Sequence, residues 1–308
     1  MILNTIFTTT LYAFDNKITH PRLTEISMES AKKSLTLYFN ESLSLPNGFN
    51  TSINRRSATE WIVLGSINED IPDCRASNHF HNPRNNLPWT ESGLTDQNSF
   101  INSICKSTQY PPEAITSNVH WATRYSNPAP YGSKLDLTGN GSDWDGARRD
   151  FYTYLTGRSY NSSQPAVTTE NVRNMHLAWA LEDLGKVIHL LQDMGVPSHV
   201  RNDFLAHLEW KGITSSNLLH ATQWTYERFE DWVKNNNGLI ASASSINLAE
   251  KTITNFWDTN NYDGANPDIS LNADLIGLAE YTNINFVSEN TVFTENYLTD
   301  ADSSNDLY

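Results

Sequence analysis

The chain has 308 residues and a formal net charge of −14, with nine Trp, thirteen Tyr, nine His and only two Cys. That length can bury a sizeable core without staples, and the acidic balance excludes a protein that grips nucleic acid or an anionic membrane by charge alone. No run approaches the ~18 apolar residues of a membrane span.

Residues 1–13 read as a shortened secretion signal, with apolar positions up to Leu11 and a small residue, Ala13, at the cleavage point. This predicts a secreted or periplasmic protein. Residues 14–298 read as one domain. His20 to Phe39 reads as a helix, with Leu23, Ile26, Ala31, Leu35 and Leu37 at apolar positions. A short helix follows over Glu60–Asp70. The stretch 70–140 is rich in Asn, Pro, Ser and Gly, and so long an irregular segment is more often functional than idle. The two cysteines, Cys74 and Cys105, lie in it. They form no Cys-x-x-Cys, which argues against a thiolate zinc site. They either pair in an oxidising compartment or remain free and buried.

Trp144–Thr156 reads as helix, and the polar stretch 157–168 is the best candidate for a domain boundary. Asn171–Met194 is the clearest helix. Further helices are predicted over Gln223–Lys234, with Trp224, Phe229, Trp232 and Val233 for the core, over Ser245–Thr259 and over Asp274–Ser288. Residues 299–308 are polar and read as a frayed tail. There is no βαβ series, no internal repeat and no alternation long enough for a sheet. The class is all-α, a multi-helix single domain with long loops. The chain has no phosphate-binding glycine loop, no dinucleotide glycine motif, no His-Glu-x-x-His and no Gly-x-Ser-x-Gly.

The segment His189-Leu-Leu-Gln-Asp193-Met-Gly-Val-Pro-Ser-His199 carries the chemistry. His189 and Asp193 stand one turn apart on one helix face and can point at a common centre. Gly195 and Pro197 end the helix, which leaves His199 close enough to join them. Two imidazoles and a carboxylate converging in this way suit zinc-type ligation. The plainer alternative is a hydrogen-bonded polar pair in a helical core.

Leu184-Gly185-x3-His189-x3-Asp193-x3-Pro197-x-His199 resembles the core motif of zinc-dependent phospholipase C and of the fungal zinc-dependent single-strand nucleases. Other segments follow in that family's order. Thr19-His20-Pro21 resembles its N-terminal His site. Gly65-Ser66-x2-Glu69-Asp70 resembles the loop with an early Asp ligand. Asn78-His79-Phe80-His81-Asn82-Pro83 resembles its His-Phe-aromatic-x-Pro segment, and Tyr226-Glu227-Arg228-Phe229 its helical Glu segment. The resemblance runs from about residue 14 to 235.

The resemblance implies an all-α domain holding up to three zinc ions (Zn2+) at the bottom of a cleft. Asp70, His79, His189 and Asp193 would hold one ion. His199, Glu227 and a further His would hold a second. Asp193 would bridge to a third, completed by His20 and by the amino and carbonyl groups of the mature N-terminus, which cleavage after Ala13 places on Phe14. The family pairs its later His with the Glu at i, i+4, but position 223 is Gln. His207 is the favoured substitute and His220 the other. Glu69 and Asp73 compete with Asp70 for the same role.

Clustered divalent ions suit phosphate-ester hydrolysis, because they lower the pKa of water towards ~7 and balance charge on phosphoryl oxygens. Asp70 would position the attacking water or accept its proton. The expectation is a zinc phosphodiesterase acting on phospholipid, or on single-stranded nucleic acid. The competing expectation is a zinc-stabilised binding protein without catalysis.

Overall fold

A computed structural model describes residues 17–71, 73–89, 116–123, 142–158, 166, 169–203, 208–210, 224–226, 228–236, 238, 253–262, 264 and 276–288. The described chain is mainly helical. Its helices are α1 (Thr19–Leu37), α2 (Ala58–Asn68), α3 (Asn118–Thr123), α4 (Trp144–Thr156), α5 (Glu170–Asp193), α6 (Pro197–Val200), α7 (Arg228–Asn235) and α8 (Leu278–Asn285). Two small antiparallel pairs complete it: β1 (Ser52–Ile53) with β2 (Arg56–Ser57), and β3 (Leu208–Trp210) with β4 (Trp224–Tyr226).

Local chemistry sets the helix ends. Ser57 and Glu60 form a reciprocal cap at the start of α2: the Glu60 N–H donates to Ser57 Oγ at 3.2 Å, and the Ser57 N–H to Glu60 Oε2 at 2.6 Å. Asp143 caps α4 by accepting from the Gly146 N–H at 2.8 Å, and Gly157 stops the helix in the left-handed region at φ 66°. Helix α5 ends at Asp193, as the Gly195–Pro197 signal predicts. Pro197 then occupies the first turn of α6, which carries His199.

The predicted helix over Gln223–Lys234 is corrected at its start. Trp224–Tyr226 is strand β4, and α7 begins at Arg228. Trp-Thr-Tyr is a run of aromatic and β-branched side chains, which favours a pleated strand over a helix. Trp232, expected in the core, is 54% exposed. In the predicted helix over Ser245–Thr259, the described part from 253 forms only a 3-10 turn at Thr254–Phe256, and the helix over Asp274–Ser288 shortens to α8. The side chain of Cys74, all of Cys105 and most of 157–168 lie outside the described residues.

Helix α5 is the axis of the fold, packed by α1, α2, α3 and α4. Near its N-terminal half, Leu177 and Leu181 join Met28, Phe39, Phe49, Ile53 and Ile62 in one apolar cluster. Near its C-terminal half, Val187 and Leu190 join Met194, Val200, Trp257 and Ala279 in another. The α2–α5 crossing is set by two glycines. A Cβ on Gly65 would lie 1.9 Å from the Glu182 carbonyl oxygen, and one on Gly185 would lie 2.0 Å from that of Ile62. The two backbones therefore touch, and no side chain fits between them.

Gly185→Ala is expected to lower stability by roughly 3 kcal/mol and to reduce metal uptake, measured by denaturant unfolding and metal content. Gly238→Ala, whose Cβ meets nothing within 4 Å among the described residues, is the control, expected to change stability by less than ~0.5 kcal/mol. Equal effects at both positions would refute the close crossing.

Candidate metal centre

The backbone contact between α2 and α5 brings the C-terminal end of α2 against His189 and Asp193. Asp70 sits just beyond α2, His79 just beyond the 3-10 turn Asp73–Asn78, His20 in the first turn of α1 and His199 in α6. All six side chains are fully buried.

Their ligand atoms face one another. His79 Nδ1 lies 3.0 Å from Asp193 Oδ2 and 3.6 Å from Asp70 Oδ1. His189 Nε2 lies 3.6 Å from Asp193 Oδ2 and 3.8 Å from Asp70 Oδ1. On the other side, Asp193 Oδ1 lies 3.4 Å from His20 Nε2. Two groups can thus hold a metal ion: Asp70, His79 and His189, and His20, His189 and Asp193. The two oxygens of Asp193 face different histidines.

The donor set fits a metal. Two ligand atoms that each stand ~2.1 Å from a tetrahedral ion are about 3.4 Å apart, and the five separations bracket that value. Both oxygens of Asp70, both of Asp193 and His189 Nε2 make no hydrogen bond among the described residues. The 3.0 Å approach of His79 to Asp193 also lacks hydrogen-bond angles. Buried acceptors left in this way cost free energy unless something else binds them, and cations held by these two groups would bind ligand atoms of Asp70, Asp193 and His189.

A surrounding set of contacts fixes which nitrogen points inward. His189 Nδ1 donates to the Ser66 carbonyl at 2.7 Å, which leaves Nε2 as the bare acceptor facing Asp70 and Asp193. His199 Nδ1 donates to the His79 carbonyl at 2.8 Å. His20 Nδ1 meets Gln192 Oε1 at 2.6 Å, and Gln192 is oriented by donating from Nε2 to Thr24 Oγ1 at 3.0 Å. His79 Nε2 faces Glu69 Oε1 at 3.8 Å. Glu69 is anchored in turn by the Arg75 guanidinium and by Trp121 Nε1 at 3.0 Å. Glu69, a competitor for Asp70 by sequence, therefore supports His79 instead. His81 is tied elsewhere: Nε2 lies 2.7 Å from Asp258 Oδ2, and its backbone N–H donates to the His199 carbonyl.

Phe14, His207, His220 and Glu227 lie outside the described residues, as does the side chain of Asp73. Beside His199 stands a carboxylate that the sequence reading missed. Glu230 in the first turn of α7 is 1% exposed, with Oε1 3.7 Å from His199 Nε2. Reading Trp224–Tyr226 as a strand would have moved the helix start and drawn attention to it.

Charge is unevenly held. Burial, with Asp193, Glu69 and Glu230 nearby, pushes Asp70 well above the usual carboxylate range against the pull of His79. Burial also acts on Asp193, but His189, His79 and His199 overcome it and hold Asp193 well below that range. Burial together with His20 and His79 drives His189 down, so it is a neutral ligand. Burial lifts Glu230 to about 7 despite its contact with His199. Compared with family models, curated proteins and solved structures, the chain matches none.

Burial alone pulls the His79 imidazole down, but Asp193, Asp70 and Glu69 together outweigh it and raise it from 6.5 to about 9. The stability that this charged ring lends the metal-free protein is complete below 6.5 and lost as pH rises through about 9. Metal must displace the same proton. Between these limits, metal affinity is expected to rise with pH while the metal-free melting temperature falls. Calorimetric titration in buffers of different ionisation enthalpy reads the proton release, and a pH-independent affinity would refute it. Separately, Glu69→Gln is expected to weaken metal binding about 10–100-fold with the helical circular dichroism retained; unchanged affinity would remove Glu69 from the site.

Proposed function

We propose that the chain is a zinc-dependent phosphodiesterase of the kind its motifs resemble, with phospholipid as the leading substrate class and single-stranded nucleic acid as the other. The proposal includes export, as a secreted or periplasmic protein, and a fold of the zinc phospholipase C and nuclease type. The carrying observation is the spacing of ligand atoms around Asp193, 3.0 to 3.6 Å from three histidine nitrogens. His20, Asp70, His79, His189, Asp193 and His199 would hold the metal, with Glu230 beside His199. An all-oxygen set would suit magnesium or calcium; this mixed imidazole–carboxylate set suits zinc.

Zinc, when bound, supplies a Lewis acid that makes water nucleophilic near neutral pH and balances phosphoryl charge. The chain's own residues do the rest. Asp193 stays a carboxylate and holds the ligand histidines in register. His189 and His199 keep fixed tautomers through their bonds to backbone carbonyls. Asp70 turns Oδ1 towards His79 and His189, and its carboxylate would position the attacking water or accept its proton. Burial of this carboxylate raises its basicity.

One observation favours a second reading. The six ligand side chains are fully enclosed, and a closed site is the mark of a structural metal, since a catalytic one keeps an open position. Metal content by mass spectrometry, followed by assays on lecithin and single-stranded DNA with and without chelator, separates the readings. The phosphodiesterase predicts two to three zinc per chain, hydrolysis abolished by chelation, and a loss of about 10²–10⁴-fold in Asp70→Asn. A structural site predicts no hydrolysis and only a lower melting temperature on chelation. Absence of zinc would end both.

A further inference from the structure

A cavity of about 200 Å³ opens on the side of α5 away from the metal centre. It lies between α4, α5 and the turn that continues α1, where Trp144, Ala147 and Phe151 face Leu181, Leu184 and Tyr38. At 100° per residue, the α5 side chains lining it stand roughly 150° round the helix from His189 and Asp193. His189 reaches across to α2 instead, so the two sites are separated by the body of α5.

The walls are apolar, and the one charged residue among them contributes its aliphatic stem to the lining. Arg148 lines the cavity and is exposed. Its neighbour Arg149 is tied to Asp145, but among the described residues no carboxylate pairs with Arg148. Apolar cavities of about 150 Å³ stay dry and take up hydrocarbon ligands, and this one is somewhat larger. Ligand sites commonly combine such walls with one or two placed polar groups. A guanidinium offers a planar fork of donors that matches a carboxylate. One cation also matches one negative charge, whereas a phosphate monoester carries about two.

We propose that this cavity binds the aliphatic chain of a monoanionic carboxylate amphiphile, with Arg148 holding the carboxylate at the mouth. It is a second ligand site, independent of the metal centre and of the activity proposed for it. The chain packs against Leu181, Leu184 and Phe151, and the head group remains at the surface beside Arg148.

Octanoate and 1-octanol are the probes, titrated calorimetrically into the full-length, zinc-loaded protein. Octanoate is expected to bind about tenfold more tightly than octanol, the value of one charge-assisted contact. Arg148→Gln is expected to erase that difference and leave octanol binding unchanged. Ala147→Phe, which fills the cavity from a buried position, is expected to abolish both, with zinc content unchanged; Ala180→Leu serves the same purpose if Ala147→Phe does not fold. Equal affinity for the two probes would overturn the role of Arg148. Octanoate binding that survives the filled cavity would place the ligand elsewhere, including on the metal, and would overturn the proposal. Failure of both probes to bind would overturn it as well.

Discussion

The contact between Gly65 and Gly185 is the constraint on which the rest of the structure depends. Two helices normally pack 8–10 Å apart, with side chains between them. Here the α2 and α5 backbones meet directly, because neither glycine has a Cβ to hold them apart. The consequence appears at the next residue of α2 and one turn along α5. Ser66 presents its carbonyl to His189, and the chain leaving α2 delivers Glu69 and Asp70 to the same place. A wider crossing would break the Ser66–His189 bond, free the ring and carry Asp70 away from it. The candidate metal centre is thus a product of backbone approach before it is a product of side-chain chemistry.

The site resolves its own electrostatics by dividing protons among groups that share one volume. Asp70 and Asp193 are both fully buried, yet burial and nearby carboxylates drive one up while histidines hold the other down. His79 is drawn into the charged state and His189 is forced out of it. A cluster in which buried carboxyls and imidazoles are pushed in opposite directions is a cluster that a divalent cation fits. The cation replaces protons whose positions the fold has already set. Glu69 belongs to this balance without touching the centre. It is fixed by Arg75 and Trp121, and it gives His79 a negative neighbour on the ring edge opposite Asp193.

Some of this was legible in the sequence and some was not, for physical reasons. His189 and Asp193 were legible because i, i+4 spacing on a long amphipathic helix fixes relative direction whatever else the chain does. His199 was legible because Gly195 and Pro197 end α5 just before it, which keeps it close to His189 and Asp193. His20, Asp70 and His79 could be nominated only through resemblance, since residues more than a hundred positions apart in sequence meet only through tertiary packing. Glu230 was missed because the aromatic run Trp224–Tyr226 was read as the start of a helix when it forms a strand, so the first turn of α7 was not looked for at Arg228. Gln192, Thr24 and the Ser66 carbonyl left no signal at all. Backbone carbonyls and single amides carry no pattern, although they decide which nitrogen of each histidine faces inward.

The placement of the apolar clusters decides how far the fold depends on a metal. The cluster of Met28, Phe39, Phe49, Ile62 and Leu177 gathers near the N-terminal half of α5, away from His189 and Asp193. It buries large side chains against α1 and α2 and asks nothing of the ligands, so these helices have their own source of stability. The opposite end is built differently. The His199 ring donates to the His79 carbonyl, the His81 N–H donates to the His199 carbonyl, and Asn118 joins His79 to Trp257. There the apolar cluster and the metal ligands share the same short segments. A cation held there would add to a half that apolar packing already secures, and would tie together the half whose short segments carry its ligands.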